Sequence, residues 1–266
     1  MKIFLDTEFY AGFRKPLFGK SRHFIDLISI GLVDDTGRTY YAISKEFDLD
    51  KAWADDWVRE NVLKPLHVEM CQGQSTYAKT HHYSLFGDFT KKCMRTLLNW
   101  TGKTNKQIAD EIRNFVYWPA VAAGDGLSRA DEDIDWWLKA NSVEFYAYYA
   151  DYDWVLFCSL FGNMSELPTG FPMYCRDLKQ MMDERGLTKE WKQKVCPDPE
   201  GEHNALVDAR WNRQLHAWIE KQPLYTHQDI IDFVGYFRKN QDQVKESMSD
   251  NYLIRGWASN TRRTVC

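Results

Sequence analysis

Apolar residues run through KIFL at residues 2–5 and again through FIDLISIGLV at 24–33, where the pattern stops at the turn cluster Asp34-Asp35-Thr36-Gly37. Short apolar runs bounded by turn residues are the mark of strands, whose successive side chains leave opposite faces of a pleated backbone. RTYYAIS at 38–44 adds a third strand, so the chain is expected to open as an antiparallel meander. The period then changes. In WADDWVRENVL, 53–63, Trp53, Trp57, Val58 and Val62 fall on one face of a helix. Between 64 and 142 apolar content thins, and one helix is signalled over 104–117. Thr104 and Gln107 form its capping box, and Ile108, Ile112, Phe115 and Val116 its apolar stripe.

VEFYAYYA at 143–150 reads as a buried strand and YDWVLFCSLFG at 152–162 as a helix closing at Gly162, together a βα unit. The aromatic run Phe145, Tyr146, Tyr148, Tyr149 and Tyr152 is read as core. A short strand near Pro172–Cys175 follows, then the helix DLKQMMDERG, a polar loop, and the helix HNALVDARWNRQLHAWIEK, which Pro223 ends. One more helix is expected from about Gln228 to Met248. The pattern predicts an α/β fold: a mixed sheet, with an antiparallel meander followed by βα units, flanked by helices. Residues 1–222 are expected to form one domain with a helical insertion at 64–142, and residues 223–266 a C-terminal helical extension.

Composition adds limits. With 266 residues, 44% of them hydrophobic and 15% aromatic, the chain can bury a large core. Its net charge of −4 argues against a generally basic nucleic-acid coat, leaving that question to local charge. The start, MKIFLDTEFY, has an aspartate where a secretory leader is apolar, and no apolar run approaches the roughly 20 residues that span a bilayer. A soluble, cytoplasmic protein without membrane partners is expected. The six cysteines form no CxxC and are too sparse for a disulfide framework. A zinc set of Cys71, His81, His82 and Cys93 has spacings that match no finger, and is set aside.

Candidate chemistry comes from acids. Strand alternation sends Asp6 and Glu8 to one face and Thr7 away. Asp153, at the expected start of the 152–162 helix, is preferred to Asp151, although aspartate at a helix start is also an ordinary cap. His203 stands five positions before Asp208, ahead of a helix whose Ala205 and Ala209 permit close approach to a sheet. His227 and Asp232 repeat the spacing and are read as surface capping. Four carboxylates in one cleft repel by roughly 4 kcal/mol per pair at about 4 Å and an effective dielectric near 20. Such a cluster calls for cations, and an all-oxygen donor set favours Mg²⁺ or Mn²⁺ over zinc.

Asp6 and Glu8 in LDTEF, Asp153 in YDWVLF, and His203 with Asp208 in HNALVDA resemble the motifs of the DEDDh (DnaQ-like) exonuclease superfamily. With LISIGLVDDTGRTYYAIS and WVRENVL, the chain is similar to the compact bacterial and phage 3′-to-5′ exoribonucleases that begin with DTEF. The resemblance covers roughly residues 1–63 and 143–220. It implies an RNase H-like fold and two-metal hydrolysis of RNA from its 3′ end to nucleoside 5′-monophosphates. Asp6 would then bridge both ions, Glu8 and Asp208 complete one site, Asp153 support the other through water, and His203 act as general base. A DNA exonuclease of the same fold and a non-catalytic RNA-binding module are the alternatives.

The segment FYAGFRKPLFGKSRHF interleaves Arg14, Lys15, Lys20, Arg22 and His23 with Phe13 and Phe18, a pattern suited to phosphates and unstacked bases. Single-stranded RNA or 3′ overhangs are the expected partners, with a homodimer as the expected assembly. Lys91, Lys92, Arg95, Lys103 and Lys106 form a second basic stretch that could track more distant phosphates.

Overall fold

A computed structural model describes residues 1–14, 19–73, 88–123 and 142–224, with 231–232, 234–236 and 239. Its strands are β1 (Lys2–Arg14), β2 (Arg22–Asp34), β3 (Thr39–Ile43), β4 (Glu144–Ala147) and β5 (Arg176–Asp177). They form one sheet in the order β3-β2-β1-β4-β5. The meander appears as β1, β2 and β3, antiparallel in sequence, and the later β4 joins β1 in parallel. The fold is α/β, with a mixed sheet.

Two differences from the sequence pattern matter for the site. The first strand does not stop near Leu5: β2 is long enough to pair with it as far as Phe13↔His23 and Arg14↔Arg22. Asp6 and Glu8 therefore lie inside a strand rather than at its end. The expected 53–63 helix starts earlier and is broken: α1 (Leu49–Ala54), α2 (Asp56–Val58), a π turn (Arg59–Leu63), then α3 (Lys64–Gln72). Asp48 and Asp55 cap the first two pieces, accepting from Lys51 N and Val58 N. The π turn precedes Pro65, which withholds a backbone N–H from the carbonyl one turn back. Val58 and Val62 go inward as the periodicity requires, but Trp57 is 54% exposed.

The thin region holds α4 (Lys91–Thr101), which the sequence reading did not anticipate, and α5 (Asn105–Ala123). The capping box at the start of α5 is reciprocal: Thr104 N–H donates to Gln107 Oε1 at 2.9 Å and Gln107 N–H to Thr104 Oγ1 at 3.2 Å. Helix α6 (Asp151–Leu160) follows β4; no strand forms at the expected Pro172–Cys175, and the two-residue β5 comes just after it. Then come α7 (Leu178–Glu184), α8 (Lys189–Val195) and α9 (Ala205–Ile219). Most of the expected 228–248 helix lies outside the described residues, but those described at 231–239 are helical.

The chain divides into two units, residues 1–176 with 199–213, and residues 177–198 with 214–266. In the first, Ile3, Leu5 and Leu32 pack with Ile108, Ile112 and Val116 of α5 and with Leu156 and Phe157 of α6. Full burial of such side chains is worth ~1.5–3 kcal/mol each. A separate cluster joins Ile28 to Val62, Leu63, Leu66 and Met70 and to Met94 and Leu97 of α4. Because Ile3 and Leu5 face the first cluster, alternation sends Asp6 and Glu8 out through the opposite face of β1. In the second unit, Asp177 caps α7 by accepting from Lys179 N and Gln180 N, Thr188 caps α8, and the buried Lys192 pairs with Asp198.

Candidate metal centre

Asp6 pairs across the hairpin with Gly31. A β-carbon on Gly31 would stand 2.3 Å from the carbonyl oxygen of Ala205, so only glycine lets the start of α9 press on the backbone of β2. Ala205 and Ala209 are fully buried, in the role their size predicts. One turn beyond Asp208, the buried Asn212 donates from Nδ2 to the carbonyl of Leu5 at 2.9 Å. The helix is thus held beside Asp6 from both directions, and Asp208 meets the strand acids. Ligand oxygens of Asp6, Glu8 and Asp208 all lie within 4.8 Å of one another.

Asp153 stands outside this trio but next to it. It is buried in the first turn of α6, and its Oδ1 accepts from the N–H of Thr7 at 2.9 Å and from Thr7 Oγ1 at 2.6 Å. The residue that alternates away from the two acids is therefore the one that fixes the fourth. Asp151, the rival, is exposed. Leu156 and Phe157 are buried as the choice of Asp153 required.

Crowding sets the electrostatics. Burial, then the charges of Asp153, Glu8 and Asp208, push the Asp6 carboxyl well above the ordinary range. Burial, then Asp208, Asp153 and Glu202, push Glu8 up to about 8. Carboxyls so shifted hold protons near neutral pH or require a cation in their place. Three convergent carboxylate oxygens with a fourth acid alongside match the hard oxygen donors that Mg²⁺ and Mn²⁺ take.

His203 sits at the rim. Its backbone is left-handed, φ 69°, and its N–H donates to Asp208 Oδ2 at 2.9 Å, so the turn that presents the imidazole is tied to a clustered carboxylate. The ring lies edge-on to Trp57, with centroids 4.9 Å apart. Neither His203 nor Asp208 caps the helix. Asn204 does, with Oδ1 accepting from Leu206 N and Val207 N. Its Nδ2 donates to Glu69 Oε2 at 2.9 Å, and the same oxygen accepts from the hydroxyl of Tyr41 at 3.1 Å.

Other expected residues are scattered. Lys20 and Arg22 are exposed on the arm of the β1–β2 hairpin, near the T-shaped contact of Phe13 with His23. Lys15 and the side chain of Arg14 lie outside the described residues, as does His227, while Asp232 is exposed. The second basic stretch is largely spent on ion pairs: Lys91 and Arg95 with Asp50, Lys103 with Glu111, Lys106 with Asp110. In the aromatic run Phe145 and Tyr146 are core, but Tyr149 and Tyr152 are 62% and 51% exposed. Among the described residues no helix is long and apolar enough to cross a membrane.

Residues 1–220, the span that holds Asp6, Glu8, Asp153, Asp208 and His203, match the model of the 3'-5' exoribonuclease Rv2179c-like domain. The chain belongs to this family. Two relatives from Mycobacterium tuberculosis are the 3'-5' exoribonuclease Rv2179c of strain ATCC 25618 / H37Rv and the 3'-5' exoribonuclease MT2234.1 of strain CDC 1551 / Oshkosh. Each is 30% identical to this chain over 210 residues, 79% of this chain and 88% of the relative. Gly31, Asn204 and Asn212, the residues that place α9, are not singled out by the sequence pattern. A signal existed for Gly31 and for Asn212. Gly31 interrupts a strand of large apolar residues, where glycine marks close backbone approach. Asn212 is a polar residue on the helix face shared by Ala205 and Asp208.

Proposed function

We propose that the chain is a 3′-to-5′ exoribonuclease of the DEDDh type on an RNase H-like fold, using Mg²⁺ or Mn²⁺ and releasing nucleoside 5′-monophosphates. The observation that carries this reading is the meeting of Asp6, Glu8 and Asp208 within 4.8 Å, three acids from two distant parts of the chain. Their mutual repulsion is the reason for a divalent ion there. Asp6, Glu8 and Asp208 would hold one ion, and Asp6 with Asp153 would support a second. When bound, the ions supply charge for the attacking and leaving oxygens of a phosphodiester. The chain's own residues do the rest. Thr7 orients Asp153, Asp208 fixes the backbone of His203, and the imidazole takes the proton of the attacking water. The exposed hairpin arm, with Lys20, Arg22 and Phe13, guides a single-stranded 3′ end.

The test uses 5′-labelled RNA and DNA of one sequence, with Mg²⁺, Mn²⁺ or chelator, beside Asp6→Asn and His203→Ala. A ladder shortening from the RNA 3′ end, abolished by chelator and by both substitutions, is expected. Preferential digestion of DNA would move the reading to a DNA exonuclease, and intact RNA with measurable binding would leave a binding module.

A further inference from the structure

A second cluster lies among helices α3 and α4. His67 and Cys71 are one turn apart on α3, and Cys93 stands in the first turn of α4, N-capped by Thr90. Nε2 of His67 is 3.4 Å from Cys93 Sγ and 3.6 Å from Cys71 Sγ. Each sulfur separately stands from Nε2 of His67 at the distance that two ligands of one ion keep. In a tetrahedral zinc site, Zn–S of about 2.3 Å and Zn–N of about 2.0–2.1 Å place nitrogen and sulfur about 3.5 Å apart.

We propose that His67, Cys71 and Cys93 bind a thiophilic divalent ion, zinc in the first instance, at a site separate from the carboxylates. His67 is buried at 5% exposure and Cys93 at 3%. Phe89 packs edge-on against the imidazole at 5.5 Å, and Trp53 lies 4.7 Å from Phe89, an apolar wall on one side of the donors. The three donors are less tightly gathered than the carboxylates, so capture draws a thiol inward, and each thiol that binds gives its proton to solvent. The ion would clip α3 to α4. Glu69, whose carboxylate holds Asn204, lies on α3 between His67 and Cys71.

The experiment titrates the metal-stripped, reduced full chain with Co²⁺, in wild type, Asp6→Asn, Cys71→Ser and Cys93→Ser. Oxygen ligands give no sulfur-to-cobalt charge-transfer absorption, so the band reports this cluster whatever the carboxylates do. Expected is a band that saturates at about one ion per chain, persists in Asp6→Asn, disappears on adding zinc, and is lost in both serine variants. Absence of the band in wild type overturns the proposal without recourse to any variant. Survival of the band in both serine variants, or an intact mass lower by the two hydrogens of a Cys71–Cys93 disulfide in protein purified without reductant, also overturns it. RNA hydrolysis is measured separately, so failure here leaves the exoribonuclease reading standing, and the reverse.

Discussion

Gly31 and Ala205 touch through backbone alone: the missing β-carbon of one leaves the space that the carbonyl of the other needs. Because Gly31 is the cross-strand partner of Asp6, this contact sets how closely Asp208 approaches the strand acids. Gly31→Ala is expected to lift the start of α9, costing about 1–3 kcal/mol as an overpacked core does. A displacement near 1 Å can cost on the order of 10²-fold in rate. Thermal melting and turnover of labelled RNA check both parts. A variant with wild-type activity would show that α9 tolerates the shift.

Thr7→Val removes the 2.6 Å hydroxyl bond to Asp153 and keeps the backbone bond. A lost hydrogen bond to a buried charged group is worth ~1.5–3 kcal/mol. The expected signature is a lower kcat with KM for RNA little changed, since Thr7 orients an acid and does not grip substrate. A change confined to KM would contradict this assignment.

Burial and neighbouring acids raise Glu8 to about 8 from an ordinary carboxylate value near 4.5. The folded protein then holds a proton that the unfolded chain releases, and this contribution is complete below the unfolded value and lost as pH rises through the folded one. The melting temperature of the metal-free protein should therefore fall between about pH 4.5 and pH 8. Saturating Mg²⁺ or Mn²⁺ should restore it most at the alkaline end, where protons compete least. Glu8→Gln should flatten the decline. A metal-free melting curve that rises over the same interval would reverse the sign.

Asn204 caps α9 and is itself held by Glu69. Asn204→Ala is expected to cost about 1 kcal/mol, as lost N-caps do. Asn204→Asp keeps the cap but sets a carboxylate against Glu69, so it should be harmful in wild type and relieved by Glu69→Gln. A double-mutant cycle reads the coupling, and additivity would remove Glu69 from the account.

Sequence pattern carried the meander, the βα unit at β4, the capping box at Thr104 and the identity of the clustered acids, because each depends on local periodicity or on chemistry a few residues long. It did not carry the length of β1, whose outer half is stabilised by pairing with β2 and not by its own alternation. It missed α4, whose Cys93, Met94, Leu97 and Leu98 make a short apolar stripe among basic residues that attract attention to themselves. The role of Thr7 and the grouping of His67 with the cysteines depend on contacts between separate segments, which spacing does not encode.

Glu8 faces Ser29 while Phe9 faces Leu27, leaving Ile28 as one surplus residue in β2. The slip falls where the carboxylate stretch of the hairpin gives way to its exposed arm, and Ile28 is anchored in the helical cluster below. The ladder is thereby divided into an inner segment that keeps its own phase and an outer one whose phase is reset. The arm beyond this point can be lengthened, shortened or recharged without a frame error reaching Asp6 or Glu8, so, on the proposed function, a change of grip need not perturb the chemistry at the acids.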